Sequence, residues 1–196
     1  MANRNRLLKQ INDGLANPDE LEYWDTLLVQ NSNVIQKYRK QLIDFLNNYL
    51  KNNFIKIGGK STKLKINYDY KQVSIPMLQE KRQIEILGKG TKYGAQKDDF
   101  EIYFYKGHQL NVARYFASRG EQRTISFALK LGALDYLKQE LDGDILILLD
   151  DLYSELDTDH RKNVTNIVKN ENVIITTAER SLIPKSILKD ANIIKL

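Results

Sequence analysis

The chain has no cysteine among its 196 residues. That excludes disulfides, zinc thiolate sites and thiol nucleophiles. Its two histidines, His108 and His160, stand too far apart to suggest a metal cluster, and each reads as a surface residue. No apolar run approaches the roughly 20 residues that cross a bilayer. Met1-Ala2-Asn3-Arg4 is followed by no apolar core, so it does not read as a signal peptide. These absences fit a soluble, cytoplasmic protein without a membrane partner. The absence with most consequence is a phosphate-binding loop: no Gly-x-x-x-x-Gly-Lys-Ser/Thr occurs anywhere. Gly58-Gly59-Lys60-Ser61-Thr62 ends like one, but Phe54 stands where the first glycine is required. Thr62-Lys63-Leu64-Lys65-Ile66 then alternates like a strand instead of opening a helix. Gly58–Thr62 therefore reads as a turn.

What is present points to nucleotide chemistry all the same. Ile145-Leu146-Ile147-Leu148-Leu149-Asp150 reads as a fully buried parallel strand that ends on a carboxylate. Ligands bind beyond the carboxyl ends of such strands. Two adjacent acids there, Asp150 and Asp151, are costly unless they hold a metal or move protons. In a Walker B strand, Asp150 holds Mg²⁺ and Asp151 stands where a hydrolytic water is oriented. The bland alternative is a strand running into an acidic, solvated turn.

Upstream lies Ser118-Arg119-Gly120-Glu121-Gln122, followed by apolar residues at helical spacing from Ile125 to Leu137. Ser118 and Glu121 have the spacing of a capping box. Capping explains both residues but not Gly120, which is a poor helix former. A glycine in the first turn lets a ligand approach the backbone. A serine hydroxyl and free N–H groups at a helix start suit phosphate. Ser-x-Gly-Glu/Gln-Gln is the pattern of an ABC-type signature motif, which grips the γ-phosphate of ATP held by another subunit.

The order Phe116-Ala117-Ser118-x-Gly120-x-Gln122-Arg123-Thr124, then Ile147-Leu148-Leu149-Asp150-Asp151-Leu152-x-Ser154-Glu155-Leu156-Asp157, resembles the C-terminal half of the RecF family of recombination mediators. The Asp-Asp pair is similar to that family. So is Gly94-Ala95-Gln96-Lys97-Asp98-Asp99, with Ala95, Gln96 and Lys97 replacing the usual Pro, His and Arg, and so is Asn3–Lys9. The resemblance implies an α/β fold: the C-terminal part of an ABC/SMC-like ATPase head, with a helical arm lobe at the N-terminus. It implies that Ser118, Gly120, Glu121 and Gln122 bind nucleotide in trans. It implies Asp150 as the Mg²⁺ ligand, Asp151 as the catalytic residue, Asp157 in communication across the dimer and Thr177 at the switch position. ATP and Mg²⁺ would bind only together with the missing Walker A half. The implied partners are DNA at single-strand/double-strand junctions, the mediators RecO and RecR, and a second copy or a complementing N-terminal half.

The chain divides near residue 80, into an arm lobe with short strands (1–80) and a head portion (81–196). Asn17-Pro18-Asp19-Glu20 marks a break and a helix start. Leu28, Ile35, Leu42 and Tyr49 repeat every seven residues, with Tyr38 and Phe45 between them, which suits either a coiled-coil seam or a bundle helix. Residues 54–75 alternate weakly and read as strands. Residues 100–105 read as a strand closed by a turn at Lys106-Gly107. After Asp157 come a helix to about Lys169, a buried strand at Val173–Thr177, a short helix from Pro184 and a last strand at Ile193-Ile194.

Charge is uneven. Lys51–Lys97 holds eleven Lys or Arg against Asp69, Glu80 and Glu85. Asp142–Asp159 holds seven acids and no Lys or Arg. The basic stretch, with Tyr68, Tyr70 and Tyr93, reads either as a track for a phosphate backbone or as a solvated lysine-rich surface. The whole reads as the trans-acting half of a RecF-like ATPase in recombinational repair: a fragment, one product of a split gene, or a truncated protein. Two other readings stand beside it. One is part of another SMC-like or ABC-like ATPase from a defence or mobile element. The other is a non-enzymatic half-head that binds DNA or a partner.

Overall fold

The computed structural model describes residues 1–59, 64–141, 143–189 and 191–195. The chain falls into two compact units, Met1–Asp44 with Ile66–Ile102, and Phe45–Lys65 with Tyr103–Leu196.

In the first unit, α1 (Ala2–Asn12) precedes a short 3-10 turn at Pro18–Glu20. Asn17 and Glu20 form a capping box there, and Pro18 presets the first turn, so the break read from sequence is a helix start. The long helix α2 (Leu21–Lys56) follows. Its buried positions in this unit are Leu21, Asp25, Leu28, Ser32 and Gln36. That is a 3.6-residue stripe containing three polar side chains. The seven-residue seam is buried only in part: Leu28 belongs to this stripe, whereas Ile35, Tyr38 and Tyr49 are exposed. Leu7, Leu8, Leu21 and Ile86 make one apolar cluster, with Trp24 against it. Leu28, Val73 and Leu78 make another, with Tyr93 against it. α3 (Ile75–Leu87) starts at Ser74, whose hydroxyl accepts from the Met77 N–H.

Buried charge holds the first unit together as well. The Arg4 guanidinium lies 2.7 Å from Asp25 Oδ1, 2.6 Å from Glu85 Oε2 and 2.8 Å from Thr91 Oγ1. Glu85 also accepts from the Lys92 N–H at 2.7 Å. A second hub is Asp98, which accepts from Gln36, Arg39 and the Tyr68 hydroxyl. Burial and this carboxylate push the Tyr68 hydroxyl up to about 12, so it stays a donor. The Arg39 guanidinium also donates to the Ala95 carbonyl, and the Ala95 N–H to Ser32 Oγ. In this chain the Gly94–Asp99 segment is thus a clamp on α2. Two of the tyrosines considered for DNA contact are engaged internally: Tyr68 on Asp98, and Tyr93, half-buried, against the Leu28, Val73 and Leu78 cluster.

β1 (Leu64–Asp69), β2 (Asp99–Lys106) and β3 (Gln109–Val112) form a three-stranded sheet in that order. β2 and β3 are an antiparallel hairpin, Tyr103 opposite Val112, turning at Gly107 with φ +64°. Among the described residues of 54–75 only β1 is a strand, because α2 runs on to Lys56. The glycines at its end close it: the Gly58 N–H bonds the Ile55 carbonyl, the Gly59 N–H bonds the Phe54 carbonyl, and Gly58 has φ +95°. Lys60, Ser61 and Thr62, the rest of the expected turn, lie outside the described residues.

The second unit is built on α5 (Arg119–Glu140), reached from β3 through the short α4 (Ala113–Phe116). Gly132 lets α5 approach α2 closely, since a Cβ there would lie 2.5 Å from Leu46 Cδ2. β4 (Leu146–Asp150) pairs in parallel with β5 (Asn172–Thr176), Leu146 opposite Asn172 and Asp150 opposite Thr176. α6 (Thr158–Val168) connects them, as a parallel pair requires. Leu149, Tyr153, Val164, Val168 and Ile183 form the core, with Phe127 of α5 against it. The two strands are not fully buried, contrary to the sequence reading. Leu146 is 56% exposed, Leu148 68% and Ile174 52%. An apolar run has two faces, and the described residues cover only one. After α7 (Lys185–Leu188), residues 191–195 form no strand: Ile193 and Ile194 are exposed and have no neighbouring strand to pair with among the described residues. No helix among the described residues is long and apolar enough to cross a membrane.

Candidate functional site

The start of α5 has the geometry its sequence demands. Ser118 is extended (φ −62°, ψ 160°), and its Oγ accepts from the Glu121 N–H at 3.3 Å. The Glu121 carboxylate returns to the Ser118 N–H and hydroxyl, each at 2.8 Å. The capping box is complete. Around Gly120 the space is open: a Cβ built there meets nothing within 4 Å. Gln122 turns back, its amide donating to the carbonyls of Arg114 and Ala117 at 3.2 Å. It thereby closes the loop between α4 and α5. Arg123 reaches the Glu155 carbonyl at 3.3 Å.

The acids sit at the carboxyl end of β4. Asp150 Oδ1 accepts from the Thr176 hydroxyl at 2.6 Å. Asp151 is left-handed (φ 45°, ψ 22°), one of two non-glycine residues with positive φ among those described. Its N–H meets Thr176 Oγ1 at 3.0 Å. The Ser154 hydroxyl lies 2.8 Å from its Oδ2 and 2.7 Å from its carbonyl. Strained backbone at paired acids is a frequent mark of a working site. Thr176 therefore ties both acids to β5, a role that sequence reasoning missed. The register would have revealed it, because Asp150 faces Thr176 across the parallel pair. Thr177 is a residue further on, its hydroxyl engaged with the backbone of Glu179. No group of three or more His, Cys, Asp or Glu among the described residues could hold a metal alone. Mg²⁺ needs fewer from the protein: one or two carboxylates, completed by phosphate oxygens and water. Asp150 fits that part.

Asp157 caps α6, accepting from the His160 N–H at 2.9 Å, while its other oxygen lies 2.7 Å from His160 Nδ1. The backbone N–H of His160, then its ring, hold the Asp157 carboxyl below its ordinary value. The cap is thus at full strength above the ordinary carboxylate range and is lost as pH falls through the lowered value. His160 is not the plain surface residue of the sequence reading. Its ring is about three-quarters covered, and Nε2 lies 3.2 Å from Thr124 Oγ1 on α5. Residues Ile57, Gly120, Arg123, Thr124, Asp157 and His160 line a cleft of about 90 Å³, too small for a nucleotide.

Known proteins resemble this chain over most of its length. The chain is 31% identical over 195 residues to the DNA replication and repair protein RecF of Acetivibrio thermocellus, covering 93% of the chain and 52% of that protein. It is 30% identical to RecF of Clostridioides difficile, over 98% of the chain and 53% of the relative. The chain spans about half the length of these curated relatives. No protein-family model matches it. Among solved structures, the recombination mediator protein RecF-ATPrS in the RecFOR pathway superposes with a TM-score of 0.77 at 27% identity, covering 93% of this chain and 51% of that one. RecF-ATP gives 0.72. The fold is α/β and matches the ABC/SMC-like ATPase architecture of those structures. Over nearly its whole length the chain is a homologue of the C-terminal half of RecF.

Proposed function

We propose that this chain supplies the trans-acting half of a composite ATP site in a RecF-type DNA repair protein. One observation carries the reading: a fully capped helix start with open space at Gly120, in the same compact unit as a parallel strand ending on Asp150 and Asp151. In this reading Ser118, Gly120, Glu121 and Gln122 present the signature turn to ATP on another subunit. Glu121 must release the Ser118 hydroxyl before a phosphate can take it, so nucleotide contact and capping compete. Asp150 would hold Mg²⁺, which neutralises phosphate charge when bound. Asp151 orients water, and Thr176 keeps both acids in register. Asp157 carries the state of one site across the dimer, and Thr177 stands at the γ-phosphate sensor position. Residues 1–80 serve as the arm lobe and 81–196 as the head portion. The complete protein would dimerise with ATP on DNA at single-strand/double-strand junctions, in the cytoplasm, with RecO and RecR as partners in loading recombinase. The support is the repair role named for the relatives and the ATP named for the solved structures.

Two outcomes test this. Alone, the chain should bind ATP weakly and hydrolyse it negligibly, because it has neither phosphate loop nor its lysine. Micromolar affinity by calorimetry, abolished by Asp150→Ala, would contradict that. Joined to the Walker A half of a relative, Ser118→Arg should block ATP-driven dimerisation while monomer nucleotide binding stays near parental. The stability cost is that of one N-cap, about 1 kcal/mol. Dimerisation at the parental level would refute the signature assignment.

A further inference from the structure

Three groups meet in the cleft between α5 and α6, and which hydrogen bonds they can make together depends on the protons carried by the His160 ring. Thr124 Oγ1 is 2.8 Å from the Gly120 carbonyl and 3.2 Å from His160 Nε2. His160 Nδ1 is 2.7 Å from Asp157 Oδ2. Asp157, a carboxylate, only accepts, so Nδ1 carries a proton. The Thr124 hydroxyl has one proton to give. If it goes to the Gly120 carbonyl, Nε2 must also carry a proton to make its bond, and the ring is an imidazolium. If the ring is neutral, Nε2 accepts from Thr124, and the Gly120 carbonyl loses that bond.

We propose that His160 is a positioning residue for the signature turn, and that gain or loss of its Nε2 proton switches the Thr124 hydroxyl between the Gly120 carbonyl and the imidazole. The proposal rests on the composite-site reading above and names a regulator of that site. Protonated His160 leaves Gly120 held by the Thr124 hydroxyl, two residues from Ser118. Neutral His160 draws the Thr124 hydroxyl towards α6 and leaves that carbonyl with its helical bond alone. Thr124 is 6% exposed, so its hydroxyl depends on these protein partners, whereas Gly120 is exposed and water can take the place the hydroxyl leaves. The other charged groups around the ring have separate engagements. Arg123 on α5 donates to the Glu155 carbonyl, and Arg161 on α6 to the Tyr153 carbonyl. The carboxylates near it are Asp157, Glu155 and Asp159; Ile57 and Gly58 from the end of α2 bring no charge. A histidine is the side chain whose charge changes near neutral pH, which makes the tie a proton-sensitive one.

The test uses the full chain in solution without nucleotide. With isotope-labelled protein, ring nitrogen shifts count the protons on His160, and His108→Gln identifies its signals. Across a pH series, the number of protons on the ring and the movement of the Gly120, Glu121 and Gln122 amides should follow one curve. Thr124→Val should abolish the amide movement while the ring still titrates, and Thr124→Ser should restore it. If Thr124→Val does not fold, His160→Gln should abolish the same movement. Amides that ignore the ring, or a response that survives Thr124→Val or His160→Gln, would overturn the proposal. Because no ATP takes part, the result stands apart from the Ser118→Arg test of the composite site.

Discussion

Arg4→Met should destabilise the first compact unit by about 3–5 kcal/mol, the size expected when one partner of a buried ion network is removed. The Arg4 side chain is 3% exposed and the two carboxylates it joins are 2% and 0% exposed. Without it, Glu85 keeps the Lys92 N–H, and Asp25 keeps Arg82 at 3.3 Å. Arg82 already has a buried Nε without a partner among the described residues, so it is poorly placed to take over. Trp24, the one tryptophan, packs in the same unit and reports on it by fluorescence. With a urea slope near 2 kcal/mol/M, the midpoint should fall by about 2 M. Arg4→Met with Glu85→Gln should cost less than Arg4→Met alone, because the double change leaves one buried charge fewer. An unchanged midpoint would show that water reaches these acids.

The second large effect separates Asp150 from Asp151 in the chain joined to a Walker A half. Asp151→Asn should lower single-turnover hydrolysis about 100-fold or more, the range for losing a positioned proton acceptor, while ATP binding holds. The ATP-bound dimer should then persist on DNA. Asp150→Asn should instead weaken Mg²⁺-dependent nucleotide binding, because the metal loses a charged ligand. Both changes spare the fold. At position 150 an amide oxygen still accepts from the Thr176 hydroxyl, and asparagine tolerates the left-handed backbone at position 151. Circular dichroism checks that. Equal loss of binding in the two variants would merge the acids into one metal site.

The elements that sequence made legible are those whose signal is local. Ser118 and Glu121 announce their cap in three residues, and Asp157 announces α6 by the same chemistry. Asn17-Pro18 does the same for the entry into α2. What failed to show was burial decided by distant partners. The core stripe of α2 contains Asp25, Ser32 and Gln36, which look like surface residues until Arg4, Ala95 and Asp98 are brought to them. The seven-residue apolar seam was the more visible pattern, yet of its members Ile35 and Tyr49 lie exposed while Leu28 alone joins the buried stripe. α3 was hidden for the same reason, since its inner face includes Glu85. β4 and β5 looked fully buried because an apolar run cannot say which of its faces is covered. At the site, the acids were legible from type and position. Thr176 and His160 were not, because each acts through a neighbour 26 or 36 residues away.

The left-handed turn at Asp151 bears on how this gene can change. Aspartate and glutamate codons differ by one base, so glutamate, the longer acid common at such positions, is a single mutation away. In the composite-site reading a glutamate would reach further than aspartate, and on side-chain reach alone it should be the better base. The backbone opposes the step. A short polar side chain settles into φ +45°, whereas glutamate there pays about 1 kcal/mol or more. Selection for faster turnover would therefore meet a folding penalty before any catalytic gain. A lineage making that exchange should first relax the turn, through Ser154 or Thr176, and only then lengthen the acid.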